Sequence, residues 1–106
     1  MIAYYGGNRP ASKEKGMAQM AKWKAWIEGL GEKVINPGTP LMDTRILTSN
    51  QVEEENDPNR MNGYAVVNAL SIEDAIEIAK ADPFLEVGGT IRVSKMMEMK
   101  EIEKGS

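Results

Sequence analysis

The sequence predicts a single α+β domain, in which one antiparallel sheet packs against two helices. Three observations predict it: the chain has 106 residues, 42% of them are hydrophobic, and its predicted elements follow the order strand, helix, strand, strand, helix, strand. The length allows one domain, and the apolar share is ordinary for a folded globular chain. Two βαβ-like halves in this order are typical of the ferredoxin-like βαββαβ sandwich, which we expect over residues 1–99.

The first half is predicted to begin with a short strand and a long amphipathic helix. Residues 1–5 are apolar or aromatic and precede Gly6-Gly7, which favours a strand that ends in a turn. Ser12 is a typical N-cap residue, and the helix that it begins is predicted to end near Leu30. Gly29 and Gly31 flank this end, where a glycine supplies the left-handed cap. Three- and four-residue spacing defines the apolar face, with Met17 and Trp26 at its edges: Met20, Trp23, Ile27 and Leu30.

The middle of the chain is predicted to be extended and rich in turns. A strand over residues 33–36 leads into Asn36-Pro37-Gly38-Thr39-Pro40, which we interpret as a turn or bulge because prolines cannot donate to a strand ladder. Residues 41–49 are expected to be extended. The polar and acidic residues 50–60 are expected to form an exposed, mobile hairpin loop.

The second half repeats the strand, helix, strand order. A strand is predicted over residues 61–69, and Ser71 caps the next helix with Asp74 as its capping-box partner. The buried face of that helix is predicted to contain Ile72, Ala75, Ile76 and Ala79. Asp82-Pro83 ends the helix, and a last strand is expected from Thr90 to Met99. Residues 100–106 form a charged tail that we expect to fray.

Composition excludes several function classes. The chain carries 13 Lys and Arg against 16 Asp and Glu, a net charge of −3, so a strongly basic nucleic-acid surface is excluded. It contains no Cys and no His, which excludes thiolate catalysis and removes the commonest general base and metal ligand. No cofactor and no metal are therefore implied. Neither a secretory signal nor a membrane span is found, so we expect a cytoplasmic protein without a membrane partner.

One face of the predicted sheet has no helix to cover it. Strand alternation in Ala65-Val66-Val67 and Arg92-Val93-Ser94 leaves apolar residues on both faces of the sheet. A large apolar patch on a small chain usually marks a binding partner, and the simplest partner is a second copy. We therefore expect a homodimer in which two sheets pack face to face as a dimeric α+β barrel, with a cavity between them.

The positions of several glycine, proline and hydrophobic residues along the chain match those of a known family. The matching positions are Met20-Ala21-Lys22-Trp23, Gly38-Thr39-Pro40-Leu41, Gly63-Tyr64, Ala75, Pro83-Phe84, Gly88-Gly89, Ile91 and Val93. On these residues the sequence resembles the YCII-related family over about residues 1–99. The resemblance implies a dimeric α+β barrel and, as in some members, small-molecule degradation that includes dechlorinating lyase-like chemistry.

Two features of that family have no full counterpart in this sequence. Many members have a His–Asp pair proposed to be catalytic, and this chain has no His. A subgroup has an Asp-Gly-Pro-Phe motif before its third strand, where this chain has Asn56-Asp57-Pro58-Asn59. The resemblance therefore implies the fold and a small-molecule site without assigning catalytic residues.

Six residues are candidate ligand contacts: Tyr4, Asn36, Thr39, Asp43, Arg45 and Arg92. The Tyr4 hydroxyl orients a ligand if it faces the barrel interior, or else the ring simply packs in the core. The irregular segment presents Asn36 and Thr39 at a cavity mouth, or it only shapes an edge strand.

The three charged candidates also have two interpretations each. Asp43 and Arg45 lie two positions apart, so they share a strand face and can bind a polar ligand or pair with each other. Arg92 forms an anion site if it points inward, and ordinary surface charge if it points outward.

These observations favour a protein that binds a small molecule in a cavity formed with its dimer partner. Two alternatives stay open. One is a cofactor-free lyase or hydrolase that uses Tyr and carboxylate chemistry in place of His. The other is a structural dimer module without ligand, whose cavity is filled by Met and aromatic side chains.

Overall fold

A computed structural model describes residues 1–97 of the chain. Its strands and helices lie, in chain order, at Ile2–Gly6 (β1), Lys13–Leu30 (α1), Val34–Pro40 (β2), Arg45–Leu47 (β3), Val52–Glu54 (β4), Met61–Val67 (β5), Ile72–Lys80 (α2) and Gly89–Val93 (β6). Short 3₁₀ helices follow α1 at Gly31–Lys33 and precede β6 at Pro83–Val87.

The main sheet has four antiparallel strands in the order β2-β5-β1-β6. This order and the two helices confirm the predicted α+β class and are consistent with a ferredoxin-like fold. The core lies on the helix side of the sheet, where Ile2, Tyr4, Ala65 and Ala79 are buried together. No helix within residues 1–97 is both long enough and apolar enough to cross a membrane.

Helix α1 begins and ends where the sequence predicts. The Ser12 hydroxyl accepts a hydrogen bond from the Lys15 amide, and Gly31 has a φ of 55° and donates its amide to the Glu28 carbonyl. The predicted apolar face is only partly correct. Trp26, placed at its edge, packs against the core and donates its indole N–H to the Ile78 carbonyl at 3.2 Å. Met20 stays 54% exposed because this part of α1 faces a cavity instead of the sheet.

Helix α2 begins at Ser71, whose hydroxyl accepts the Asp74 amide at 3.1 Å. The Asp74 carboxylate accepts the Leu70 amide, one residue before the amide that a capping box would use. The buried face was predicted incorrectly at two positions, since Ile72 and Ile76 are 37% and 40% exposed. Ile78 is buried instead, together with Ala75 and Ala79, so the helix is rotated relative to the predicted face.

Strand β2 extends further than predicted. It continues through Pro40, and its register with β5 shifts between Val34 and Asn36 and again between Asn36 and Thr39. The irregular segment is therefore a bulged part of the strand and not a turn. Asn36 stabilises it locally by accepting the Gly38 amide at 2.9 Å.

The stretch between β2 and β5 contains a small hairpin. Only Arg45–Leu47 of the predicted extended segment 41–49 is a strand, and it pairs with Val52–Glu54 inside the predicted loop 50–60. Asp43 interrupts the extended segment with a φ of 49°.

Strand β6 is shorter than the strand predicted from Thr90 to Met99. It ends at Val93, opposite Ile2 of β1, and residues 94–97 form no regular element. Residues 98–106, which include the end of that predicted strand and the whole predicted tail, lie outside the described residues. Residues 84–87, which precede this strand, belong to the second 3₁₀ helix.

Candidate functional site

A cavity of about 440 Å³ lies between α1 and the sheet. Gln19, Met20 and Trp23 of α1 form one wall, and the residues from Gly38 to Pro40 and from Asn62 to Tyr64 form the opposite wall. Tyr4, Asp82 and Phe84 line it between these walls. Its volume falls in the range of small-molecule sites, and its lining is mainly apolar with a few polar groups. This cavity belongs to a single chain and lies on the helix side of the sheet.

A buried tyrosine–aspartate pair forms part of the cavity lining. The Tyr4 hydroxyl, carried by β1, donates a hydrogen bond of 2.6 Å to Oδ2 of Asp82. Asp82 follows α2 and is only 2% exposed. Its Oδ1 accepts the Phe84 amide at 3.0 Å and so caps the 3₁₀ helix that begins at Pro83. One carboxylate therefore joins the first strand to the segment after α2.

Burial controls the proton affinity of both groups. It raises the pKa of Asp82 above its ordinary value, while the hydrogen bonds from Tyr4 and from the Phe84 amide act in the opposite direction. Burial also raises the pKa of Tyr4, and the hydrogen bond to Asp82 and its negative charge add to that rise, opposed by the Trp23 side chain. The Tyr4 hydroxyl consequently stays protonated at neutral pH and serves as a donor to Asp82.

Neighbouring contacts hold the pair in place. The Phe84 ring packs edge-on against the Tyr4 ring, with centroids 5.0 Å apart and planes at 73°. The Gln19 side chain donates to the Pro83 carbonyl at 2.8 Å and ties α1 to the 3₁₀ helix. Asn62 donates to the Gly6 carbonyl at 2.6 Å and fixes the end of β1. The cavity walls are thus built from elements that are hydrogen-bonded to one another.

The structure brings three of the six sequence-predicted residues to this region. Tyr4 and Thr39 line the cavity. Asn36 does not line it but donates its side-chain N–H to the Thr39 hydroxyl at 3.0 Å, so it positions a lining residue.

The other three predicted residues lie elsewhere. Asp43 and Arg45 form an exposed ion pair of 2.9 Å at the β3–β4 hairpin. They therefore pair with each other, which was the second of their two interpretations. Arg92 lies over the Tyr5 ring, 4.8 Å from its centroid. Both residues alternate with core residues of their strands, so this contact occupies the sheet face away from the helices.

Asp82 is the main site residue that sequence reasoning missed. The sequence indicated for it only the role of ending α2 before a proline. A local signal for part of its role was present in the sequence. Asp followed by Pro is typical of the N-cap of a new helical turn. Its burial depends on Tyr4, 78 positions earlier, and no local pattern reveals that contact.

The described residues offer no metal centre. No group of three or more His, Cys, Asp or Glu side chains within residues 1–97 is arranged to hold a metal ion. The polar side chains that line the cavity supply hydroxyl, amide and carboxyl groups.

Comparisons with known proteins identify a shared fold. No family model matches the chain, and no curated protein matches it in sequence. Among solved structures, the chain is similar to 5-chloro-2-hydroxyhydroquinone dehydrochlorinase from Burkholderia phenoliruptrix AC1100, determined in complex with 2,5-dihydroxybenzoquinone. The TM-score is 0.56 at 20% sequence identity, and the match covers 94% of this chain and 96% of the other. The two chains therefore share the same α+β fold along nearly their whole length.

Proposed function

We propose that this protein binds a small ring-containing molecule in the cavity between α1 and the sheet. The observation that carries the proposal is the Tyr4–Asp82 pair, which places a buried carboxyl group on the wall of a mainly apolar cavity of about 440 Å³. An apolar cavity with a few convergent polar groups and a perturbed carboxyl is the usual form of a small-molecule site.

The lining favours a ring that bears a hydrogen-bond donor. Trp23 and Phe84 offer aromatic surfaces against which a flat ligand packs. Each oxygen of Asp82 accepts one protein hydrogen bond and keeps a further lone pair. A ligand O–H or N–H that reaches this carboxylate gains a charge-assisted hydrogen bond.

The structural neighbour supports this ligand class. Its name and its bound molecule both describe single six-membered rings that carry hydroxyl groups. The shared fold also supports membership of this chain in the YCII-related family, which we retain as part of the proposal together with the homodimer. We propose the small-molecule site within one chain, whereas the sequence predicted it between two.

Proton-transfer catalysis is a second candidate function, of the cofactor-free lyase or hydrolase type. The burial of Asp82 favours it, because burial raises the pKa of this carboxyl group and so makes it a better proton acceptor for a bound substrate. Tyr4 would then be a positioning residue, since its hydroxyl fixes the carboxylate that receives the proton.

Calorimetric titration with phenol and with resorcinol tests ligand binding. We expect saturable binding to the wild-type protein and its loss in Met20→Trp, because the larger side chain fills the cavity from an exposed position. The matched control is Ala25→Trp, which adds the same side chain to α1 at an exposed site outside the cavity lining. Absence of binding to wild type, or equal binding by both variants, would contradict the proposal.

A further inference from the structure

A second pocket, of about 380 Å³, adjoins the cavity. The two share Asn8, Pro10, Gln19 and Val87 as lining residues, so their surfaces are continuous. The second pocket is additionally lined by three cationic side chains, those of Arg9, Lys15 and Lys22. It carries no acidic lining residue among those that the structure describes.

Two of these cations have no ion-pair partner within residues 1–97. Lys22 pairs with Glu86 at 3.0 Å, whereas Arg9 and Lys15 form no such pair with any described residue. The loop that carries Arg9 is anchored beside the 3₁₀ helix, because the Asn8 amide donates to the Val87 carbonyl at 2.8 Å. Lys15 lies in the first turn of α1, whose N-terminus is fixed by Ser12. Positive charge is thus concentrated at one end of the cavity.

The cavity itself has the opposite electrostatic character. Asp82 is its acidic lining residue, and none of its described lining residues is a Lys or an Arg. An anionic group placed deep in the cavity would lie near a carboxylate without a compensating cation. Burying such an unpaired charge costs binding free energy. The same group placed at the second pocket would lie beside Arg9 and Lys15.

We propose that the cavity and the second pocket form one bipartite site, which binds a ring in the cavity and an anionic substituent of that ring, a carboxylate or a phosphate, at Arg9 and Lys15. This inference rests on the proposed function and adds the charge and the orientation of its ligand. The uncharged, donor-bearing end points toward Asp82, and the anionic end points toward the start of α1. Arg9 suits this role because its planar guanidinium grips carboxylate and phosphate oxygens in pairs.

The test compares two probes of similar shape, one anionic and one uncharged. Calorimetric titration measures binding of 3-(4-hydroxyphenyl)propionate and of its uncharged amide. We expect the anion to bind about fivefold more tightly than the amide at low ionic strength, as exposed charge pairs contribute modestly. The advantage should vanish at high ionic strength, because salt screens exposed charges. A third probe, 2-(4-hydroxyphenyl)ethyl phosphate, carries a phosphate in place of the carboxylate. Whichever of the two anionic probes binds more tightly identifies the preferred anionic group.

Variants then assign the effect to the second pocket. The double variant Arg9→Gln/Lys15→Gln should bind the anion and the amide equally, with the amide affinity unchanged from wild type. The matched control, Lys24→Gln, removes an exposed lysine of α1 that lines neither pocket and should keep the preference.

Each result has a distinct meaning. If the wild-type protein binds the amide as tightly as the anion, the bipartite site is wrong while the cavity proposal stands. If the preference persists in the double variant, the anion binds elsewhere and the assignment to Arg9 and Lys15 is overturned. If neither probe binds while phenol does, the bipartite site is wrong and the cavity proposal stands. If phenol does not bind either, the proposed function fails and the inference fails with it.

Discussion

The hydroxyl of Tyr4 donates a 2.6 Å hydrogen bond to Oδ2 of Asp82 across 78 positions of the chain. This bond joins β1, at the centre of the sheet, to the segment that leaves α2. It exists only when the sheet and the second helix have both assembled. The polar part of the candidate site is therefore coupled to the tertiary fold as a whole.

Removal of the Tyr4 hydroxyl should destabilise the protein. Tyr4→Phe keeps the ring packing against Phe84 but leaves Oδ2 of a buried carboxylate without its donor. We expect a loss of about 1–3 kcal/mol in the free energy of unfolding, measured by urea denaturation.

Tyr5→Phe is the matched control, because Tyr5 is only partly buried and lies on the other face of the sheet. It should change the stability by no more than about 0.5 kcal/mol. Equal losses in the two variants would mean that the bond to Asp82 contributes nothing specific.

The raised pKa of Asp82 predicts how stability depends on pH. Between the ordinary aspartate pKa of about 4 and the higher pKa in the fold, the native state binds more protons than the unfolded state. The contribution of Asp82 is fully present below that window and declines as the pH rises through it. Asp82→Asn removes this titration and should flatten the decline, as measured by urea midpoints at a series of pH values.

The control for that experiment is Asp57→Asn. It removes an exposed carboxylate and leaves Asp82 in place, so the wild-type slope should persist. A wild-type slope in Asp82→Asn would show that other groups cause the pH dependence. A large loss of stability in Asp82→Asn at all pH values would instead reflect the two hydrogen bonds that this side chain accepts.

Local signals in the sequence predicted the order of elements and the helix starts. Ser12 and Ser71 cap their helices because a side-chain oxygen acts on an amide three residues away, which is visible in the sequence alone. The rotation of α2 was not predictable in this way. Burial of Ile78 in place of Ile76 depends on the sheet and on Trp26 of the other helix, which donates to the Ile78 carbonyl.

The residues of the candidate site were harder still to predict, because their positions depend on contacts that are distant in sequence. Tyr4 was identified because strand alternation points one of the two adjacent tyrosines inward, and Thr39 was identified because its segment has an unusual sequence. Asp82 was not, since a helix-ending Asp-Pro is common and its burial arises from contacts distant in sequence. The charged candidates Asp43, Arg45 and Arg92 were chosen by residue type. The β3–β4 hairpin holds the first two outside the cavity, and strand register places Arg92 on the other face of the main sheet, and neither is encoded locally.

The close contact between Gly89 and Phe84 predicts that one methyl group added at Gly89 lowers the stability of the protein. A Cβ at Gly89 would overlap one edge of the Phe84 ring, which packs against Tyr4 in the cavity wall. We expect Gly89→Ala to lower the free energy of unfolding by about 2–3 kcal/mol and to weaken ligand binding, because Phe84 must move. Urea denaturation and calorimetry measure the two effects.

Gly29→Ala is the matched control for that change. A Cβ at Gly29 meets no atom within 4 Å, and the residue lies in α1. Alanine should therefore raise the stability by about 0.5–1 kcal/mol through its higher helix propensity. If Gly89→Ala behaved like Gly29→Ala, the close packing of β6 against Phe84 would be wrong.

The proposed homodimer gives the last prediction, and it concerns the sheet face away from the helices. Val66 alternates with the core residues Ala65 and Val67, so it lies on that face, and it is partly buried. Val66→Asp places a charge where a second sheet would pack, and the cost of burying an unpaired carboxylate should dissociate the dimer. Native mass spectrometry should report a dimer for wild type and for the control Ala25→Asp, which alters an exposed position of α1, and a monomer for Val66→Asp. A monomeric wild-type protein would contradict the dimeric barrel, yet it would leave the cavity proposal intact, because the described lining of that cavity comes from one chain.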